Sequence, residues 1–199
     1  MFRHRTALPL PIAAAILLLP ARETPGGAGT ILSGVAMTAA GEALRLWGVR
    51  HIGVVSRTRS DRVGPLIASG PFRYVRNPLY IGNTLLWTGF AITAGLVWLA
   101  PIVLALLGVE YHWIVQWEEA LLLERRGEEY RDYVRRVPRW IPAVPPGGSG
   151  GDGENIRGSS VSSMSSVVAS SWRATFFSER GTLLAIAAGY LLLALKARF

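Results

Sequence analysis

The sequence has no cysteine. That excludes disulfides, thiolate metal sites and a cysteine nucleophile. Histidine is scarce: His4, His51 and His112 are the whole supply, and no two stand four apart. A zinc site is therefore not expected. Lysine is almost missing as well, with Lys196 alone among 21 basic residues. Charged residues make up only 17% of the chain, against about 25% in an ordinary soluble domain. Half of the 199 residues are hydrophobic and the mean hydropathy is +0.31. The composition is that of an integral membrane protein. The net charge of +8 would suggest nucleic acid in a soluble chain, but these arginines lie between apolar runs. They fit membrane topology and lipid headgroups better, and no nucleic-acid partner is expected.

The apolar runs set the expected architecture: an all-α integral membrane protein of about five hydrophobic helices, with a cytoplasmic amphipathic helix. Residues 1–49 hold two N-terminal segments. Leu8–Pro20 follows Arg3 and Arg5 and is read as a retained helix over a signal peptide, because no clear cleavage site follows Ala13-Ala14-Ala15. Ala28–Val49 is rich in Gly, Ala, Ser and Thr, which favours close helix packing. Glu42 and Arg45 within it are three apart and share a face, as an interfacial ion pair or, in the other reading, as a cavity lining.

Residues 50–142 form the expected core. An arginine-rich connection ends at Asn77. Leu79–Thr93 and Leu96–Trp117 then make a helical hairpin around Ala94-Gly95, and Glu118–Pro142 is a charged amphipathic tail. Residues 143–171 are rich in Gly and Ser and read as a linker. Residues 172–199 contain a fifth apolar run, Gly181–Leu195, short for a span of about 20 residues. Arginine-rich segments on one side put the N-terminus, the long connection and the tail in the cytoplasm. The expected location is a bacterial inner membrane. The expectation is thus four spans and a marginal fifth.

A hairpin brings its two open ends together. The tail Glu118, Glu119, Tyr130 and Tyr133 should then face Arg73, Tyr74, Arg76, Asn77, Pro78, Tyr80 and Gly82. Arginines can clamp a carboxylate, carboxylates can take an ammonium or a ribose hydroxyl, and tyrosines can stack on a ring or face a cation. Pro78 and Gly82 would let a backbone approach closely. Taken singly, the arginines read as positive-inside anchors and the aromatics as interfacial belt residues. His112, beside Tyr111 and Trp113, reads as an interior histidine with its hydrogen bonds made.

Gly70-Pro71-Phe72-Arg73-Tyr74-Val75-Arg76-Asn77-Pro78-Leu79-Tyr80-Ile81-Gly82 is followed by Glu118-Glu119-Ala120-Leu121-Leu122, Arg126-Gly127, Tyr130, Tyr133 and Val137-Pro138-Arg139-Trp140-Ile141-Pro142. This order resembles the isoprenylcysteine carboxyl methyltransferase and phospholipid methyltransferase-like integral membrane family. Asn77 stands where that family usually has His, and Arg126 where it has Phe. The resemblance implies S-adenosylmethionine as cofactor, bound by the two motifs, and a lipid or lipid-modified methyl acceptor. An NADPH-dependent membrane reductase of the sterol-reductase type and a non-catalytic membrane scaffold are the alternatives.

Overall fold

The computed structural model describes residues 9–20, 27–52, 66–143 and 170–198. Arg3 and Arg5, residues 53–65 of the arginine-rich connection, and the Gly/Ser linker apart from its two ends lie outside the described residues. The described residues are helical, with no strand. Six α-helices follow in order: α1 Pro9–Leu18, α2 Ala28–Ile52, α3 Pro78–Thr93, α4 Ala100–Arg126, α5 Glu128–Arg136 and α6 Trp172–Lys196. Short 3-10 turns at Gly70–Arg73 and Val97–Leu99 lead into α3 and α4.

The closest helix pair is α2 against α3, and small residues make it possible. Gly34, Gly41 and Gly48 repeat every seven residues on α2 and all lie on one face. A Cβ on Gly41 would stand 2.6 Å from the Gly82 carbonyl oxygen, and one on Gly89 would stand 2.7 Å from the Thr38 nitrogen. The two backbones touch, as small-residue faces allow where lipid offers no competing hydrophobic drive.

The expected hairpin is present. Gly95 takes φ +74° and lets α3 turn through Ala94 into α4, with Leu96 N–H donating to Ala91 O at 3.0 Å. Leu86, Phe90, Leu99, Val103, Leu107 and Tyr111 pack between the arms, joined by Ile12 and Ile16 of α1 and Leu193 of α6.

Two helices among the described residues are long and apolar enough to cross a membrane: the stretch Val97–Arg126, which contains α4, and α6. This corrects the expected four spans and marginal fifth. α1 has 10 residues and α3 has 16, or about 15 and 24 Å at 1.5 Å per residue. α2 has the length, with 25 residues, but glycines, threonines, Glu42, Arg45 and Arg50 lower its hydropathy. The last run changes in the other direction. The helix starts at Trp172, nine residues before the apolar stretch, and reaches 25 residues. The tail also differs from its expected form: α4 continues unbroken through Glu118 to Arg126, and the chain turns only at Gly127, with φ +55°. α4 and α6 carry much exposed apolar surface, including Trp113, Val109, Phe177 and Leu184.

Candidate functional site

The open end of the hairpin is closed by backbone. After α5 the chain runs back along the segment that precedes α3. Arg76 N–H donates to Pro138 O at 2.9 Å, and Ala143 N–H donates to Tyr74 O at 3.1 Å. The Asn77 side-chain amide donates to Arg139 O at 3.2 Å, and the Tyr133 hydroxyl donates to Phe72 O at 2.8 Å. Tyr130, Tyr133 and Val137 bury together against Leu66, Ala68 and Leu122. Asn77 and Tyr133 thereby fix the two motifs against each other.

A charged cluster sits inside this closure. Arg139 meets both oxygens of Glu119, at 3.1 and 2.6 Å, and Arg76 Nη1 approaches Glu119 Oε1 at 3.3 Å. The Arg76 side chain is only 10% exposed and Glu119 13%. Arg76 Nε is buried and has no hydrogen-bond partner. Burial and the Glu119 charge push the Tyr130 hydroxyl up to about 12, with Arg76 and Arg139 opposing, and Tyr133 is pushed up chiefly by its own burial. Both tyrosines are neutral hydrogen-bonding groups at physiological pH. A cleft of about 500 Å³ opens beside the cluster, between α4 and α5, lined by Glu119, Tyr130 and Arg139 among others.

One turn along α3, the Tyr80 hydroxyl donates to Glu118, 3.0–3.1 Å from its two oxygens. The Tyr80 ring lies 4.8 Å from that of Tyr111 on α4. Below Tyr80, Asn83 accepts a hydrogen bond from Arg45. Arg45 also pairs with Glu42 at 3.1 Å and with Glu179 of α6 at 2.7 Å. Glu42 and Arg45 form the expected pair, but a buried one, and Arg45 lines a cavity.

The expected site residues divide. Arg76, Asn77, Tyr80, Glu118, Glu119, Tyr130 and Tyr133 converge at the hairpin mouth, with Pro78 buried beneath them at the first turn of α3. Arg73 and Tyr74 point away and are exposed, with Tyr74 6.2 Å from the Trp47 ring. Gly82 is buried against Gly41, so the close approach it permits is helix on helix. His112 is half-buried and contacts Gln116 at 2.6 Å. Sequence reasoning missed Arg139, Asn83 and Tyr111. Arg139 had a signal, as a lone arginine between the prolines of the closing motif. Asn83 had another, as the one amide inside the apolar Leu79–Thr93 run. Among the described residues no group of three or more His, Cys, Asp or Glu could hold a metal ion.

The described residues are thus all-helical, with two helices long and apolar enough to cross a membrane and a buried polar cluster at the hairpin mouth. The phospholipid methyltransferase family model matches residues 30–128, and over that stretch the chain belongs to this family. The chain is also similar to the nickel-cobalt-cadmium resistance protein NccN of Alcaligenes xylosoxydans xylosoxydans, with 30% identity over 111 residues, 56% of this chain. The match spans 47% of that relative, about half its length. No solved structure matches significantly.

Proposed function

We propose that the protein is a membrane-embedded methyltransferase that uses S-adenosylmethionine to methylate a lipid or lipid-modified acceptor, with its site on the cytoplasmic face of a bacterial inner membrane. The observation that carries this reading is Arg76: a guanidinium almost wholly buried, braced by Glu119, with its Nε hydrogen unspent. Burying such a donor without a partner costs about 1–3 kcal/mol or more, and a carboxylate arriving from solution would remove that cost. The residues present suit this cofactor. Arg76 matches its carboxylate, Glu118 and Glu119 suit its ammonium or ribose hydroxyls, and the Tyr80 and Tyr111 rings suit a cation. When bound, the cofactor supplies an electrophilic methyl group on sulfur.

The protein's own part is positioning. Methyl transfer to a nucleophile is an in-line displacement, and a fixed approach geometry removes much of its barrier. Arg139 holds both Glu119 oxygens, so Glu119 can orient Arg76. Asn77 ties Arg139 to the start of α3, so the clamp and the hairpin move together. Tyr80 holds Glu118 at the boundary between the polar mouth and the apolar helices. A carboxylate acceptor reacts as it stands, whereas an amine must first lose its proton.

The test is transfer of radiolabelled methyl groups to a lipid extract of the host, with titration calorimetry against S-adenosylhomocysteine and NADPH. Labelling of lipid and binding of the first ligand alone support the reading. Binding of NADPH alone would replace it with the reductase alternative, and binding of neither with the scaffold. Full transfer by both Arg76→Ala and Glu119→Ala would remove the site assignment.

A further inference from the structure

A second cavity, of about 410 Å³, lies among α1, α2, α3, α4 and α6. Its size falls within the roughly 300–1,000 Å³ usual for small-molecule sites. One part of its wall is polar, with Arg45, Tyr80 and Asn83. Another is apolar, with Trp87, Phe90 and Ile186. The polar part touches the site already described across a single side chain, because Tyr80 lines this cavity and also bonds Glu118.

Part of the wall comes from α6, which lies wholly beyond the stretch that the family model matches. The helix is fastened at three heights. Glu179, with its side chain 1% exposed, pairs with Arg45 at 2.7 Å. The Tyr190 hydroxyl donates to Thr38 Oγ1 at 2.8 Å, and Lys196 Nζ donates to Ile16 O at 2.7 Å. The first of these fastenings belongs to the cavity itself, since Arg45 is bonded to Asn83 on one side and Glu179 on the other. α4 and α6, both apolar enough to cross a membrane, each contribute to the wall.

We propose that this cavity is the acceptor site. It takes an amphiphile whose hydrocarbon chain lies against Trp87, Phe90 and Ile186 and whose hydrogen-bonding head lies at Arg45, Asn83 and Tyr80. α6 is then a substrate-binding wall added to the family's core, and Glu179 is a positioning residue that sets Arg45. The proposal rests on the methyltransferase reading and names where its acceptor binds.

The experiment uses the full chain in phosphatidylglycerol nanodiscs containing phosphatidylethanolamine with a mid-chain diazirine. After illumination, crosslinked residues are mapped by mass spectrometry, and S-adenosylhomocysteine affinity is measured on the same discs. Crosslinks at Trp87, Phe90 and Ile186 are expected. Ile186→Trp, which fills the cavity, should cut those at Trp87 and Phe90 by about tenfold, as for an overpacked wall. Ile186→Ala, which cannot overpack, provides a second readout and should move crosslinks deeper along α6. Glu179→Gln should raise the KM for acceptor with little change in kcat, and Glu179→Asp should restore it. Crosslinks confined to Ile81, Leu85 and Leu104, which line a separate apolar cavity with Trp140, would overturn the proposal. So would labels only on outward-facing Leu184 and Leu191. S-adenosylhomocysteine binding with misplaced crosslinks overturns the acceptor site alone. Failure of that binding overturns the transferase reading, and with it the acceptor role, even when the cavity is labelled.

Discussion

Glu119→Gln is the most informative single change at the hairpin mouth. It keeps the shape and removes the charge. Glu119 accepts two hydrogen bonds from Arg139 and faces Arg76 at 3.3 Å. Breaking a buried ion pair from one side costs about 3–5 kcal/mol, because the remaining charge stays buried. Arg76 fits that case at 10% exposed, but Arg139 is 31% exposed and water can take over part of the loss. The expected destabilisation is therefore about 2–3 kcal/mol. The effect on ligand is separate. If Glu119 orients the Arg76 donor, a charged hydrogen bond of about 1.5–3 kcal/mol is lost, so S-adenosylhomocysteine should bind roughly 10–150-fold more weakly. Denaturant unfolding and titration calorimetry measure the two quantities independently. A double-mutant cycle of Glu119→Gln with Arg139→Gln should give a coupling of about 1 kcal/mol or more, since the pair shares two bonds. Coupling below about 0.5 kcal/mol, together with unchanged ligand affinity, would refute the reasoning.

Three further outcomes are expected. Gly41→Val should lower the melting temperature, because its Cβ would sit 2.6 Å from Gly82 O and 2.8 Å from Leu86 N, and backbone cannot yield cheaply. Overpacking of this kind costs about 1–3 kcal/mol, and an unchanged melting temperature would contradict the close α2–α3 contact. Asn77→Ala should lower methyl transfer about fivefold through loss of a bond worth about 1 kcal/mol, whereas Asn77→His keeps a donor for Arg139 O and should retain most activity. Equal rates in both variants would show that the amide does not matter. Tyr130 gives the pH dependence. Its hydroxyl is raised to about 12 in the fold and ionises near 10 when unfolded, so its contribution to stability is complete below pH 10 and is lost between about pH 10 and 12. Denaturant unfolding across that window should show a smaller decline in Tyr130→Phe, and the same decline in both proteins would refute the assignment.

Much of the site was legible because its signal is local order. Arg76, Asn77 and Tyr80 on one side of an apolar run, and Glu118 and Glu119 on the other, must meet if the run is a hairpin, and Ala94-Gly95 supplies the turn. What was not legible is direction. Arg73 and Arg76 look alike in the sequence, but the turn at Gly70–Arg73 sends the first to solvent and buries the second. Gly82 looked like a place for a cofactor and lies against α2. Arg139 looked like one more tail arginine and holds Glu119. The number of spans was also misjudged, since hydropathy marks where a chain is apolar but not where a helix starts and stops. α6 begins nine residues before its apolar run, and α1 ends after 10 residues.

The sequence by itself determined the helical class, the hairpin, the order of the two motifs and the small-residue face of α2. These are properties of neighbouring residues, set by hydropathy, turn chemistry and periodicity. Only the tertiary structure decided which charges are buried and which partners neutralise them. Arg45 and Glu179 stand 134 residues apart and meet at 2.7 Å. No local pattern encodes that pairing, because the energy of a buried charge depends on what the rest of the chain brings to it.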